Sequence, residues 1–167
     1  MLYLSLKQKH WLGIEILDND KGIRIKNKPF LHNKRIEERD SQMNGGLRKL
    51  IRLLKSLKYD SDEAIELSSY DIAAIVYNMR DSELYAHPGK DLLLIKNCHI
   101  FLLYLEVDNE LREKISVPNE TRKVFCEEGA NKKGLQQMRV TLGGLLIEIE
   151  QGLNRSFRKL AEARINY

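Results

Sequence analysis

The sequence predicts a mainly α-helical bundle with a small β-hairpin at its N-terminus. Three observations carry that reading. Apolar residues recur at helical spacing from Leu47 to Lys58, from Tyr70 to Met79 and from Leu135 to Leu160. The turn-forming run Asp18-Asn19-Asp20-Lys21-Gly22 separates two β-like stretches. Hydrophobic residues make up 43% of the 167 positions, enough to build a core and to exclude global disorder. The chain divides at residue 28 into a hairpin, 1–28, and a helical domain, 29–167.

Met1 to Leu6 alternates large apolar residues and reads as a strand. Trp11 to Leu17 is a second β-like run, and Gly22 to Lys26 alternates polar and apolar residues after the turn. The hairpin closes before Pro29. Two strands alone are marginal, so this element needs a neighbour.

Residues 33–40 are highly charged and read as one or two helical turns. Asn44-Gly45-Gly46 breaks the pattern. From Leu47 to about Lys58, at ~100° per residue, Leu47, Leu50, Ile51, Leu53, Leu54 and Leu57 fall within an arc of roughly 160°. Arg48, Arg52 and Lys55 fall together in an arc of roughly 60° at the border of that face. Tyr59-Asp60-Ser61-Asp62 ends the helix. Ser68 or Ser69 then caps a helix from Tyr70 to about Met79, with Asp71 favourable in its first turn.

His87-Pro88-Gly89-Lys90 is a turn, with Pro88 just ahead of the next helix. That helix, Asp91 to about Lys114, is apolar nearly all round in places and is expected to be central. Val117-Pro118-Asn119 breaks the chain. Thr121 to Cys126 is a candidate short strand, and 127–134 a polar loop. A final helix runs from about Lys132 to Ala163. In it Leu135, Met138, Leu142, Leu145, Ile149, Leu153, Phe157 and Leu160 repeat at spacings of three and four. Gly143-Gly144 inside it signals close helix packing.

The net charge of +4 and the pI of about 9.0 suit a phosphate-bearing partner without demanding one. The two cysteines, Cys98 and Cys126, form no CxxC pair, and the four histidines are scattered, so no zinc site is expected. Reduced thiols, no leader-like N-terminus and no run of ~18 apolar residues predict a cytoplasmic protein with no membrane partner.

The candidate site follows from chemistry. Three adjacent cations on a core border, Arg48, Arg52 and Lys55, are placed to meet an anion. Ser68, Ser69 and Tyr70 follow, with two hydroxyls and a ring. Lysine is a flexible point charge suited to phosphate. A serine at a helix N-terminus joins its hydroxyl to free N–H groups and the positive end of the dipole. An aromatic ring stacks on a base. The plainer alternatives are a solvated helix face paired with acids such as Glu37 or Glu63, a serine that only caps, and a tyrosine that is only partly buried core.

The order of these signals resembles the C-terminal, helical substrate-binding domain of polymerase-β-superfamily nucleotidyltransferases. Poly(A) polymerases, oligoadenylate synthases and cGAS/DncV-like enzymes share that domain. The resemblance rests on "LRKLIRLLKSLK" with Arg48, Arg52 and Lys55, on "ELSSYDIAAIVYNM" with Ser68, Ser69 and Tyr70, and on "VPNETRKVF" at 117–125 ahead of a terminal helix. Pro29 and His32 suit the chain's exit from a catalytic sheet, before the first helix. The resemblance implies that Lys55 contacts the triphosphate of a bound nucleotide, that Ser69 hydrogen-bonds a phosphate and that Tyr70 stacks on the base.

The sequence also departs from that family. It has no Gly-Ser pair, and its only Asp-x-Asp matches, Asp18-Asn19-Asp20 and Asp60-Ser61-Asp62, fall in a turn and a loop. The resemblance therefore implies a nucleotide-binding domain whose catalytic N-terminal half is absent. Such a domain binds a nucleoside triphosphate, catalyses nothing by itself, and uses Mg²⁺ only if the missing half supplies carboxylates. The alternative partners are a catalytic partner domain, a second copy docked through the long terminal helix or the β edge, and RNA held by residues such as Arg155, Arg158 and Lys159.

Overall fold

The computed structural model describes residues 14–18, 23–27 and 29–165, with side chains from 30 to 156. The mainly helical expectation holds. The strands Ile14–Asp18 (β1) and Ile23–Asn27 (β2) pair antiparallel, with Ile16 opposite Ile25. The expected Met1–Leu6 strand and the turn at 19–22 lie outside the described residues.

The first helix, Pro29–Gln42 (α1), is longer than the charged run suggested. Pro29 opens it, where a missing N–H costs nothing, so Pro29 and His32 lie inside the helix rather than ahead of it. Its inward face is sparse: His32 and Ile36 are buried four residues apart, and Met43 is buried just past its end. That face also carries Arg39, whose guanidinium donates to the carbonyls of Tyr77 and Met79 and to Asp81.

Helix Gly46–Asp60 (α2) follows a turn in which Asn44 (φ 52°) and Gly45 (φ 79°) are both left-handed. Gly45 offers no capping side chain; Asp40 Oδ1 accepts from the Arg48 N–H at 2.8 Å in its place. At Gly46 a Cβ would lie 1.9 Å from the Leu84 carbonyl oxygen, so only glycine lets α2 start there. Helix Ser69–Tyr77 (α3) is capped by Ser68, whose Oγ accepts from the Asp71 N–H at 3.0 Å. Every residue from Asp71 to Val76 is buried.

A four-residue helix, Asp81–Leu84 (α4), was not expected. The central helix stops at Val107 (Asp91–Val107, α5) rather than near Lys114. Asp108 breaks it by capping the separate helix Asn109–Lys114 (α6), accepting from the Leu111 N–H at 3.0 Å. Arg112 folds back to donate to the Leu105 and Glu106 carbonyls at 2.7 and 2.9 Å, filling acceptors that the end of α5 leaves open. Thr121–Cys126 is not a strand; a single antiparallel bridge, Ser116 to Lys123, is all that forms there.

The long helix Lys132–Ile165 (α7) matches its expected span and packs most extensively against α5. Leu102 and Leu105 of α5 and Leu135, Met138 and Leu142 of α7 join Leu47, Leu50 and Leu54 of α2 in the core. Of the glycine pair only Gly143 explains itself, with its Cβ position 3.1 Å from His99 Nε2; Gly144 faces open space.

These contrasts give a paired prediction. Gly46→Ala lowers stability by about 1–3 kcal/mol, whereas Gly144→Ala raises it by about 0.5–1 kcal/mol. Urea unfolding midpoints check both; a neutral Gly46→Ala contradicts the close approach to Leu84.

Candidate functional site

Helices α1, α2 and α3 enclose an open cleft of about 650 Å³. Ile36, Ile51 and Ala73 supply its apolar lining, one from each helix. Of the residues singled out in the sequence, Arg48, Arg52, Lys55, Ser69 and Tyr70 all line this cleft. Ser68 does not; it is exposed and serves as the α3 cap.

The three cations differ in their engagements. Arg48 is tied to Asp40, with Nε 3.8 Å from Oδ2. Among the described residues, Arg52 and Lys55 form no ion pair or hydrogen bond, and neither Glu37 nor Glu63 reaches them. Two cations therefore face the cleft with no counter-charge paired to them among the described residues. Ser69 Oγ lies 3.4 Å from the hydroxyl of Tyr59, at the end of α2. Lys58, two residues before that end, donates to the Leu67 carbonyl and so draws the loop toward α2 ahead of Ser69.

Tyr70 is held on several sides. Its hydroxyl donates to Asn119 Oδ1 at 3.1 Å. The His32 ring stacks on it with centroids 4.2 Å apart and planes 20° apart. The Arg122 guanidinium carbon sits 5.4 Å from its ring centroid. Burial raises the Tyr70 phenol above its ordinary value, partly offset by the Asn119 bond and the Arg122 charge.

Behind the ring lies a network that sequence reasoning did not find. Asp71 is 3% exposed. It accepts from Ser68 Oγ at 2.6 Å on one oxygen and from Arg122 Nη2 at 2.6 Å on the other. Asn119 is also buried and takes the Thr121 hydroxyl at 2.9 Å as well as Tyr70. Arg35 of α1 donates to the Pro118 carbonyl and pairs with Glu120 at 2.6 Å. The 117–125 segment, noted in the sequence as a motif, is thus a strap that locks α3 to α1. Asp71 gave one readable signal, a carboxylate in a run of otherwise apolar core residues. Its partner lies 51 positions away, out of reach of any spacing argument.

His32 is buried, and its Nδ1 has no hydrogen-bond partner among the described residues. Burial, with the nearby charges of Lys55 and Arg122, lowers its pKa from 6.5 to about 4. The imidazole is therefore neutral at physiological pH.

Among the described residues no group of three His, Cys, Asp or Glu side chains could hold a metal ion. Asp60 and Asp62 are exposed, and the side chains of Asp18 and Asp20 lie outside the described residues, as do those of Arg158 and Lys159. No helix of the described residues is long and apolar enough to cross a membrane.

Two outcomes follow from this geometry. Arg122→Ala leaves the buried Asp71 carboxylate short of its cation and destabilises the fold by about 3–5 kcal/mol, read from denaturant unfolding. His32 has a folded value below its unfolded one, so the unfolded chain binds more protons between pH 6.5 and about 4. Its contribution to stability is intact above pH 6.5 and is lost as the pH falls toward 4, by on the order of 2–3 kcal/mol. Stability–pH curves for the wild type and His32→Phe should diverge across that window; parallel curves contradict the buried neutral imidazole.

No protein-family model matches the chain. It is 44% identical over 126 residues to the cyclic dinucleotide synthase CdnE of Yersinia aleksiciae, a match covering 74% of this chain and 33% of that protein. It is 41% identical over 108 residues to a c-di-GMP synthase of Lachnospiraceae bacterium strain RUG226, covering 59% and 31%. Its fold matches the solved STING-associated CdnE c-di-GMP synthase of Capnocytophaga granulosa with a TM-score of 0.75 and 28% identity, over 89% of this chain and 49% of that one. The chain spans about a third of the length of the curated relatives it matches. Those relatives are cyclic dinucleotide synthases of the nucleotidyltransferase superfamily, and this chain is similar to a part of each.

Proposed function

We propose that the helical region, residues 29–167, is the nucleotide-binding part of a nucleotidyltransferase-like protein and takes a nucleoside triphosphate into the α1–α2–α3 cleft. One observation carries this reading: Arg52 and Lys55, unpaired among the described residues, share a single apolar-lined cleft with Ser69 and Tyr70. Lys55 and Arg52 supply positive charge to the phosphates, with Arg48 beside them. Ser69, the first residue of α3, adds a hydroxyl at the helix's positive end. Ser68 supports Ser69 from behind as the cap. Tyr70 offers its ring to the base. The similarity to cyclic dinucleotide synthases supports the same chemistry, since nucleotidyl transfer begins from a triphosphate.

In this proposal the chain's described part binds and orients but does not catalyse. The carboxylates that hold Mg²⁺, polarise the reacting phosphate and steady the leaving pyrophosphate come from elsewhere in a longer protein or from another chain. A second reading, a docking module without a nucleotide, is favoured by Ile100, Leu103, Tyr104 and Val107. They lie 45%, 40%, 55% and 69% exposed at helical spacing along α5. Light scattering tests it, since a docking module self-associates or stays indifferent to nucleotide.

The nucleotide reading is tested by calorimetric titration of ATP and GTP. Lys55→Ala and Tyr70→Ala should each weaken binding about tenfold, the first through a lost charge-assisted contact and the second through lost stacking. Raising the salt should weaken the wild type and narrow its advantage over Lys55→Ala. No binding, or binding indifferent to both substitutions, contradicts the proposal.

A further inference from the structure

We propose that His32 is a positioning residue of this cleft: its imidazole, stacked on Tyr70, holds the phenol ring in the plane that a nucleobase meets. The inference rests on reading the cleft as a nucleotide site.

The bond from the Tyr70 hydroxyl to Asn119 holds the tip of the side chain. It does not hold the plane, because rotation about the axis from Cγ to the hydroxyl leaves the oxygen where it is. That torsion is broad and two-fold for an aromatic side chain. A flat neighbour lying against the ring resists the roll, and His32 is that neighbour, 4.2 Å away and within 20° of parallel. The Arg122 guanidinium, its carbon 5.4 Å over the ring centroid, is a second restraint, and it binds Asp71 in the same turn of α3.

The identity of the residue points the same way. His32 is 5% exposed, and its Nδ1 is buried without a partner among the described residues. A polar atom left unmet in a cleft wall is unusual for filler, which an aliphatic side chain would provide without that cost. The flat shape is what an aliphatic residue lacks. Lys55 from α2 and Arg122 from the strap both disfavour a charged imidazole here. The ring on Tyr70 therefore stays neutral while the cleft keeps its positive charge for an anion.

Preorganisation of this kind improves binding by removing motion that the ligand would otherwise have to arrest. It should act on the base and not on the phosphates, which meet Lys55 and Arg52.

The test uses the whole chain and two probes, ATP and inorganic tripolyphosphate, titrated into the wild type, His32→Phe and His32→Leu. Phenylalanine keeps a flat face, whereas leucine keeps apolar bulk without one. His32→Leu should weaken ATP binding about fivefold and leave tripolyphosphate binding unchanged. His32→Phe should stay within about twofold of the wild type for both probes. Adding His32→Leu to Tyr70→Ala should cost nothing more than Tyr70→Ala alone. Circular dichroism checks folding, and His32→Gln is a second ring-less variant should leucine not fold. Overturning results are a His32→Leu protein that binds ATP as the wild type does while Tyr70→Ala does not, or one that loses both probes equally. A wild type that binds neither probe overturns the nucleotide reading itself, and this inference with it.

Discussion

The buried carboxylate of Asp71 is the constraint on which the cleft depends. A charge that is 3% exposed is tolerated only when it is paired and hydrogen-bonded. Asp71 meets that demand with Ser68 on its own helix and Arg122 from the strap, each at 2.6 Å. The pairing draws residues 117–125 onto α3. Once they are there, Asn119 reaches the Tyr70 hydroxyl and the Pro118 carbonyl reaches Arg35 on α1. One ion pair thereby ties three segments distant in sequence around a single aromatic ring.

The electrostatics of the cleft follow from which cations the fold uses. Arg39 is spent on the end of α3, Arg35 on the strap and Arg122 on Asp71. Arg48 is partly held by Asp40. Among the described residues Arg52 and Lys55 remain without such duties, and both face the cleft. Arg35, Arg39 and Arg122 each donate to backbone carbonyls and pair with an acid, buried only in the case of Asp71. The neutral His32 fits this division, since a third charge beside Lys55 and Arg122 would be repelled.

Much of the helical frame was legible because it rests on local periodicity. Helices α2, α3 and α7 each present an apolar face that the spacing of leucines and isoleucines declares. The candidate cluster was legible for the same reason, since one helix face and one helix start carry Arg48, Arg52, Lys55, Ser69 and Tyr70. What escaped depends on contacts between segments. The full length of α1 hid because its inward face is His32, Ile36 and an arginine rather than leucines. The break at Asp108 hid because α6 continues the polar pattern, and only the Arg112 hydrogen bonds to the α5 carbonyls mark the end. His32, Asn119 and Arg122 were invisible as site residues because each acts through Tyr70 or Asp71 and none has a periodic signature.

The similarity to cyclic dinucleotide synthases supports the nucleotide proposed for the cleft. The most direct test is a crystal structure of this chain with a non-hydrolysable nucleoside triphosphate. Phosphates should lie against Lys55, Arg52 and Ser69, and a base against Tyr70, with His32 still stacked on that ring. A nucleotide seated elsewhere, for example in the polar cleft formed by Ser61–Ile65 and Lys133–Thr141, or one whose base avoids Tyr70, would contradict it.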